Sequence, residues 1–143
     1  MILYVDTSAL VKLYAPEPES DAVQALVESA EIAAVSLIAY AEARAAFARK
    51  RQERAVDPKD YRRLIQEFND DWDHYFVVDV TESLVKRAGQ LAEKHGLRGY
   101  DSIQLSSALL MRTQTRQMVT FCCFDDRLLR AGRQEGLKAA LSA

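Results

Sequence analysis

Four short apolar runs, Ile2 to Val5, Ile32 to Val35, Phe76 to Val80 and Met118 to Cys122, recur between longer segments of helical period. Runs this short, bounded by turn residues and alternating with helical stretches, are the pattern of βα units. Such units lay parallel strands into one sheet and cover both of its faces with helices. A weaker run at Leu137 to Leu141, after Gly136, suits a terminal strand, although its alanines fit a helix equally well. The expected fold is therefore α/β: a three-layer αβα arrangement around a mostly parallel sheet of four to five strands. With 143 residues, 49% of them apolar, the chain can bury one proper core, and a single domain over 1–143 is the expectation.

Helix punctuation agrees with this scheme. Asp57 can cap a helix with Pro58 at its first position, Thr81 can cap one that ends at Gly96, and Ser36 can cap a third. Pro16 and Pro18, within APEPESD, end the first helix soon after Tyr14 and allow a second to begin near Ser20, so this stretch reads as a surface loop.

Lys and Arg number 19 against 21 Asp and Glu, so no global basic field advertises a nucleic-acid binder and any such partner must be held locally. The only cysteines, Cys122 and Cys123, are adjacent inside an apolar run; they offer neither a disulfide framework nor a zinc spacing and read as buried small hydrophobes. The start, MILYVDTSAL, has no basic leader region, and no run approaches 18 apolar residues. No membrane contact and a cytoplasmic location are the expectation.

Four acids stand in telling places. Asp6 directly follows the first strand, at the carboxyl edge where open α/β sheets bind ligands; capping the helix that begins at Ser8 is its bland alternative. Glu42 lies about two turns into the helix after Ser36, with Ile38, Ala39, Ala45 and Ala46 as its helical neighbours. A carboxylate on that apolar stripe must be coordinated or paired with an arginine. Asp101 opens the helix DSIQLSSALLMR, where a cap would also explain it, and Asp125 follows the fourth strand in the turn FDDRL, with Asp126 beside it read as the N-cap. Jointly, the topology brings all four to one sheet edge. Two unit charges about 4 Å apart repel by roughly 4 kcal/mol at an effective dielectric near 20. A bound cation relieves that strain. With only carboxylates converging, Mg²⁺ or Mn²⁺, as one ion or two, fits better than zinc.

MILYVDTSALVKLY, the helix around SLIAYAEARAAFAR, LRGYDSIQLSSAL and TFCCFDDRLLRAG resemble the four acidic motifs of PIN-domain proteins, most closely those of bacterial VapC toxins. The motifs come in the family's order and span almost the whole chain. The resemblance implies metal-site acids at Asp6, Glu42, Asp101 and Asp125, with Thr7 or Ser8 lending a hydroxyl near the first. It implies an RNA endonuclease that uses Mg²⁺ or Mn²⁺ to hydrolyse phosphodiesters, leaving a 5′-phosphate and a 3′-hydroxyl. It also implies a homodimer held by a small antitoxin of the VapB type. One departure is visible: the fourth motif often carries Ser or Thr two residues before its aspartate, where this chain has Cys123.

Outside the acids, Arg44, Arg49, Lys50 and Arg51, with Arg62 and Arg63, are candidates to grip RNA phosphates, against the alternative of a solvated helix surface. Tyr40, Phe47, Tyr61 and Phe68 are spaced to form a clamp between two helices. Asp70, Asp71, Asp73 and His74 read as a solvated helix terminus, and His95 as a polar group in a last helical turn. Two rival functions are a PIN-like scaffold that keeps its acids for stability, and an aspartyl phosphotransferase of the haloacid dehalogenase kind. Asp6–Thr7 resembles the nucleophile loop of the latter, but Ser8 stands where its second aspartate belongs.

Overall fold

Alternate residues of the first strand, β1 (Ile2–Val5), feed two different cores. In the computed structural model, which describes residues 1–141, Ile2 and Tyr4 pack with Leu105, Leu109, Val119 and Phe121. Leu3 and Val5 pack on the other face with Leu10, Val35, Phe47 and Phe68. The period-2 pleat of one fully buried strand thus joins two apolar layers through a single sheet.

Five strands form that sheet, β1, β2 (Ile32–Ser36), β3 (Phe76–Val78), β4 (Val119–Cys122) and β5 (Lys138–Ala140), in the order β3-β2-β1-β4-β5. All neighbours run parallel, with Ile2 opposite both Ile32 and Val119. The weak terminal run is therefore a strand. One face is covered by α1 (Thr7–Leu10), α2 (Ser20–Ser29), α3 (Ala39–Gln52) and α4 (Pro58–Trp72); the other by α5 (Glu82–His95), α6 (Gly99–Thr115) and α7 (Asp126–Gln134). Strand order reverses at β1 and β4, and such a switch point opens a crevice beyond the carboxyl ends of the two strands.

Local chemistry sets the helix ends. Asp57 accepts from the Lys59 and Asp60 amides at 2.9 Å, Thr81 accepts from the Leu84 amide at 3.2 Å, and Gly96 ends α5 at φ 65°. Ser36 does not cap: it is the buried last residue of β2, its hydroxyl accepts from the Ile38 amide, and α3 starts only at Ala39. That late start puts Glu42 in the first turn of α3 rather than two turns in. Likewise α6 begins at Gly99, so Asp101 sits inside its first turn and does not cap it. At α7 it is Asp125 that caps, with Oδ1 2.9 Å from the Leu128 amide, and Asp126 that begins the helix.

The aromatic clamp forms between α3 and α4: Phe68 lies 5.4 Å from Phe47 and 5.3 Å from Tyr40, ring centroid to centroid. Burying Phe47 and Phe68 this completely makes truncation to alanine cost about 3–5 kcal/mol each. Tyr61 takes a different part, under the Arg51 guanidinium at 4.4 Å. Among the described residues no helix is long and apolar enough to cross a membrane.

Candidate active site

The crevice at the switch point is lined by acids from three elements, Glu42, Asp101 and Asp125, with Asp6 buried at the end of β1. Asp6 leaves β1, buried to 5% exposure; its Oδ2 accepts from the Ser8 amide at 3.2 Å and from the Ser8 hydroxyl at 2.7 Å. Asp6 is thus the cap of α1, and its carboxylate is also close enough to Glu42 and Asp101 to feel their charges. The Ser8 hydroxyl in turn accepts from the Phe124 amide at 3.0 Å, which ties the exit of β1 to the exit of β4. Of the two hydroxyls considered beside Asp6, Ser8 serves it, whereas Thr7 donates to Glu42 Oε1 at 2.9 Å.

Glu42 is half-buried and bonds no arginine. Its Oε1 accepts from Thr7 and, at 2.9 Å, from the amide of Gln104. Asp101, half-buried on α6, and Asp125, exposed at the cap of α7, join Glu42 in one cavity of about 590 Å³, which also includes Arg98, Tyr100, Val85 and Gly89. A second cavity, of about 480 Å³, meets Glu42 from the other side and holds Thr7, Ser8, Lys12, Glu17, Lys50 and Phe124. The Glu42 carboxylate therefore stands where the two clefts join.

Burial first, and then the charges of Glu42 and Asp101, push the Asp6 carboxyl up to about 6 against the two Ser8 hydrogen bonds. Asp101 is also raised, first by burial and then by Asp125, with Arg98 opposing. Among the described residues none of the four acids forms an ion pair. Nor do three His, Cys, Asp or Glu side chains anywhere form a ready-made metal cage among those residues.

The donor set itself is hard: four carboxylates flanked by hydroxyls. Cys122 and Cys123 are buried, and burial holds the Cys122 thiol up at about 12 and the Cys123 thiol higher still, so neither offers a thiolate. Cys123 does take up the local turn: its sulfur accepts from the Asp125 amide at 3.3 Å, a bond that Ser or Thr would also make.

The basic candidates divide. Arg49 and Lys50 face the second cavity, but Arg44 donates to the Tyr40 hydroxyl at 2.9 Å and Arg51 lies over Tyr61. Arg62 and Arg63 remain exposed on α4. His95 is held by Glu135 at 2.7 Å, away from the crevice.

The sequence reading missed Gln104. Only 1% exposed, it accepts from the Tyr4 hydroxyl at 2.6 Å and donates to both Thr7 and Glu42. Its signal was present: it stands three residues after Asp101, on the same helix face, as a lone amide among buried Ser, Ala and Leu. Lys12 and Glu17 were missed as well. Glu17 belongs to the stretch taken for a plain surface loop, yet it reaches inward to two lysines.

With this geometry in hand, comparison with known proteins is specific. The PIN domain family model matches residues 3–134. The ribonuclease VapC49 of Mycobacterium tuberculosis (strain ATCC 25618 / H37Rv) is 34% identical over 108 residues, covering 76% of this chain and 75% of the relative. Two solved structures share the fold: FitAcB from Neisseria gonorrhoeae, with a TM-score of 0.63 at 17% identity over 96% of each chain, and VapBC2 from Rickettsia felis bound to a promoter DNA fragment, with a TM-score of 0.64 at 16% identity over 98% of each chain.

Proposed function

The chain belongs to the PIN-domain family, and from that premise we infer that it is a metal-dependent endoribonuclease, the toxin of a VapBC-type toxin–antitoxin pair. One observation supports the metal-site reading: Glu42, Asp101 and Asp125 line one cavity and the buried Asp6 feels the charges of Glu42 and Asp101, with no lysine or arginine paired to any of the four among the described residues.

Asp6, Glu42, Asp101 and Asp125 would hold Mg²⁺ or Mn²⁺. A bound divalent ion supplies Lewis acidity, making water more acidic and neutralising the charge that builds on phosphate oxygens. The chain's own groups do the positioning. Ser8 fixes Asp6 Oδ2, while Thr7 and Gln104 fix Glu42 Oε1 and leave its second oxygen to the cleft. Ionised Asp6 is required at the site, so the metal-loaded form competes with a proton that binds near pH 6. In hydrolysis, water oxygen bonds to phosphorus, the bond to the 3′ oxygen breaks, and that oxygen leaves as a hydroxyl after taking a proton.

Partners follow from the same reading: an RNA substrate, a small VapB-type antitoxin and a second copy of the chain, in the cytoplasm. VapC49 is named a ribonuclease, and a chain of the toxin–antitoxin complex from Klebsiella pneumoniae shares the fold. The aspartyl phosphotransferase alternative has no support from these comparisons. Incubation of the purified protein with total cellular RNA, with Mg²⁺ or EDTA and beside the Asp6→Asn and Asp101→Asn variants, tests the assignment. Discrete metal-dependent fragments, absent with both variants, are expected; equal cleavage by wild type and variants overturns it.

A further inference from the structure

Beside the acids lies a basic pair with an unusual occupant. Lys12, from the 3-10 turn that follows α1, and Lys50, from the last turn of α3, both point at the Glu17 carboxylate. One oxygen, Oε2, meets Lys12 Nζ at 2.9 Å, and the other, Oε1, meets Lys50 Nζ at 2.9 Å. The lysine side chains are only 12% and 24% exposed. Lys12 is held further by Glu19 at 2.9 Å and by the Phe124 ring at 4.7 Å.

We propose that Lys12 and Lys50 form a phosphate-binding subsite for the RNA backbone, and that Glu17 occupies it in the free protein as an internal mimic of the phosphodiester. This rests on the ribonuclease reading above. Three features support it. A carboxylate that presents its two oxygens to two ammonium groups copies the two non-bridging oxygens of a phosphodiester. The pair lines the same cavity as Thr7, Ser8 and Glu42, so a phosphate bound there sits on a strand that runs on into the crevice. Finally, the four acids repel a polyanion, and in this cavity the partly buried Lys12 and Lys50 are the cations placed to offset them. Arg49, exposed on the cavity rim and without an ion pair among the described residues, extends the basic side.

Glu17 suits an exchangeable occupant. It lies between Pro16 and Pro18 in the loop before α2, with its own amide bonded to the Ser20 hydroxyl at 2.8 Å. The side chain can therefore swing outward while the backbone stays fixed. Partial burial alone would raise its carboxyl, but hydrogen bonds from Lys50 and Lys12 hold it below the usual range. The incoming phosphate replaces one anion by another, so both lysines are paired before and after the exchange.

Fluorescence anisotropy of a short labelled oligouridylate in EDTA tests this without metal or cleavage. Glu17→Gln is expected to tighten binding about fivefold, the scale of one partly exposed ion pair, and to steepen the salt dependence by roughly 0.7 in log–log slope. The gain must vanish when Lys12→Gln and Lys50→Gln are added, and must be absent from Glu28→Gln, which removes the same charge from the exposed face of α2. Unchanged or weaker binding by Glu17→Gln overturns the proposal, as does an equal gain from Glu28→Gln or a gain that survives loss of both lysines. Tighter capture of oligoglutamate than of oligouridylate by Glu17→Gln also overturns it, since the subsite would then favour a protein acid. The variant keeps both lysines and its loop prolines, and a thermal melt checks that it folds. Because this readout is metal-free, cleavage by Asp6→Asn and Asp101→Asn would sink the nuclease reading while leaving the binding result standing, and the converse holds too.

Discussion

Asp6 and Glu135 are both largely shielded carboxylates near helix ends, and their surroundings could hardly differ more. Glu135, at the end of α7, receives Lys94 and His95 at 2.7 Å each, and the Lys94 hydrogen bond first, then His95, holds its carboxyl below the usual range. Asp6 is pushed up to about 6, first by its burial and then by the nearby charges of Glu42 and Asp101. A fold that needs a carboxylate only for its own stability gives it a cation, as at Glu135. One that buries a carboxylate beside other acids leaves it easier to protonate and free to take an outside cation.

That contrast can be broken most forcefully at the chemistry. Asp101→Asn is expected to reduce RNA cleavage on the order of 10²- to 10³-fold, the scale of losing one preorganised electrostatic contact, as measured on purified product fragments. Glu135→Gln should leave the rate unchanged. Gln104→Ala comes next: it frees the Glu42 carboxylate and orphans the buried Tyr4 hydroxyl, so cleavage falls about 10- to 100-fold and stability by roughly 1–3 kcal/mol in urea unfolding. A Gln104→Ala protein that loses stability but keeps full activity would show that the amide serves packing alone.

Stability sharpens the comparison, because the two acids must respond with opposite signs. Asp6 has a raised carboxyl, so in metal-free protein its contribution favours folding below its unfolded value of 3.8 and is lost as pH rises through about 6. Asp6→Asn should therefore stabilise the metal-free protein by about 2–3 kcal/mol at pH 7, with the gain fading as pH falls below about 6. Asparagine still caps α1, which isolates the charge. Glu135 has a lowered carboxyl, and its contribution is present at neutral pH and lost in acid. Since Lys94 is mostly exposed, Glu135→Gln should destabilise by less than about 1 kcal/mol, read as a small drop in midpoint at pH 7.

Most of the architecture was legible because fully buried parallel strands leave continuous apolar runs, and Asp57, Thr81 and Gly96 carry unambiguous capping chemistry. Less legible were the starts of α3 and α6, where Ser36 and Asp101 look like caps. Ser36 belongs instead to the end of β2, and Arg98 stands at the cap of α6 with no side-chain bond, so the capping signal is absent where the helix begins. Asp6, Asp101 and Asp125 stood out because each follows a strand or opens a helix, and Glu42 because it interrupts an apolar helix face. The groups that orient them did not. Gln104 reaches Glu42 across 62 residues and Glu17 reaches Lys50 across 33, and nothing local in either segment records that long-range pairing.

The central claim is that the crevice acids hold a divalent cation together. Electron paramagnetic resonance of Mn²⁺ titrated into the protein at pH 7 reads this directly, since bound ion loses its free-ion signal. Wild type should take up Mn²⁺, both Asp6→Asn and Asp101→Asn should bind it at least about tenfold more weakly, and Glu135→Gln should match wild type. Equal uptake by wild type and both crevice variants would contradict the account.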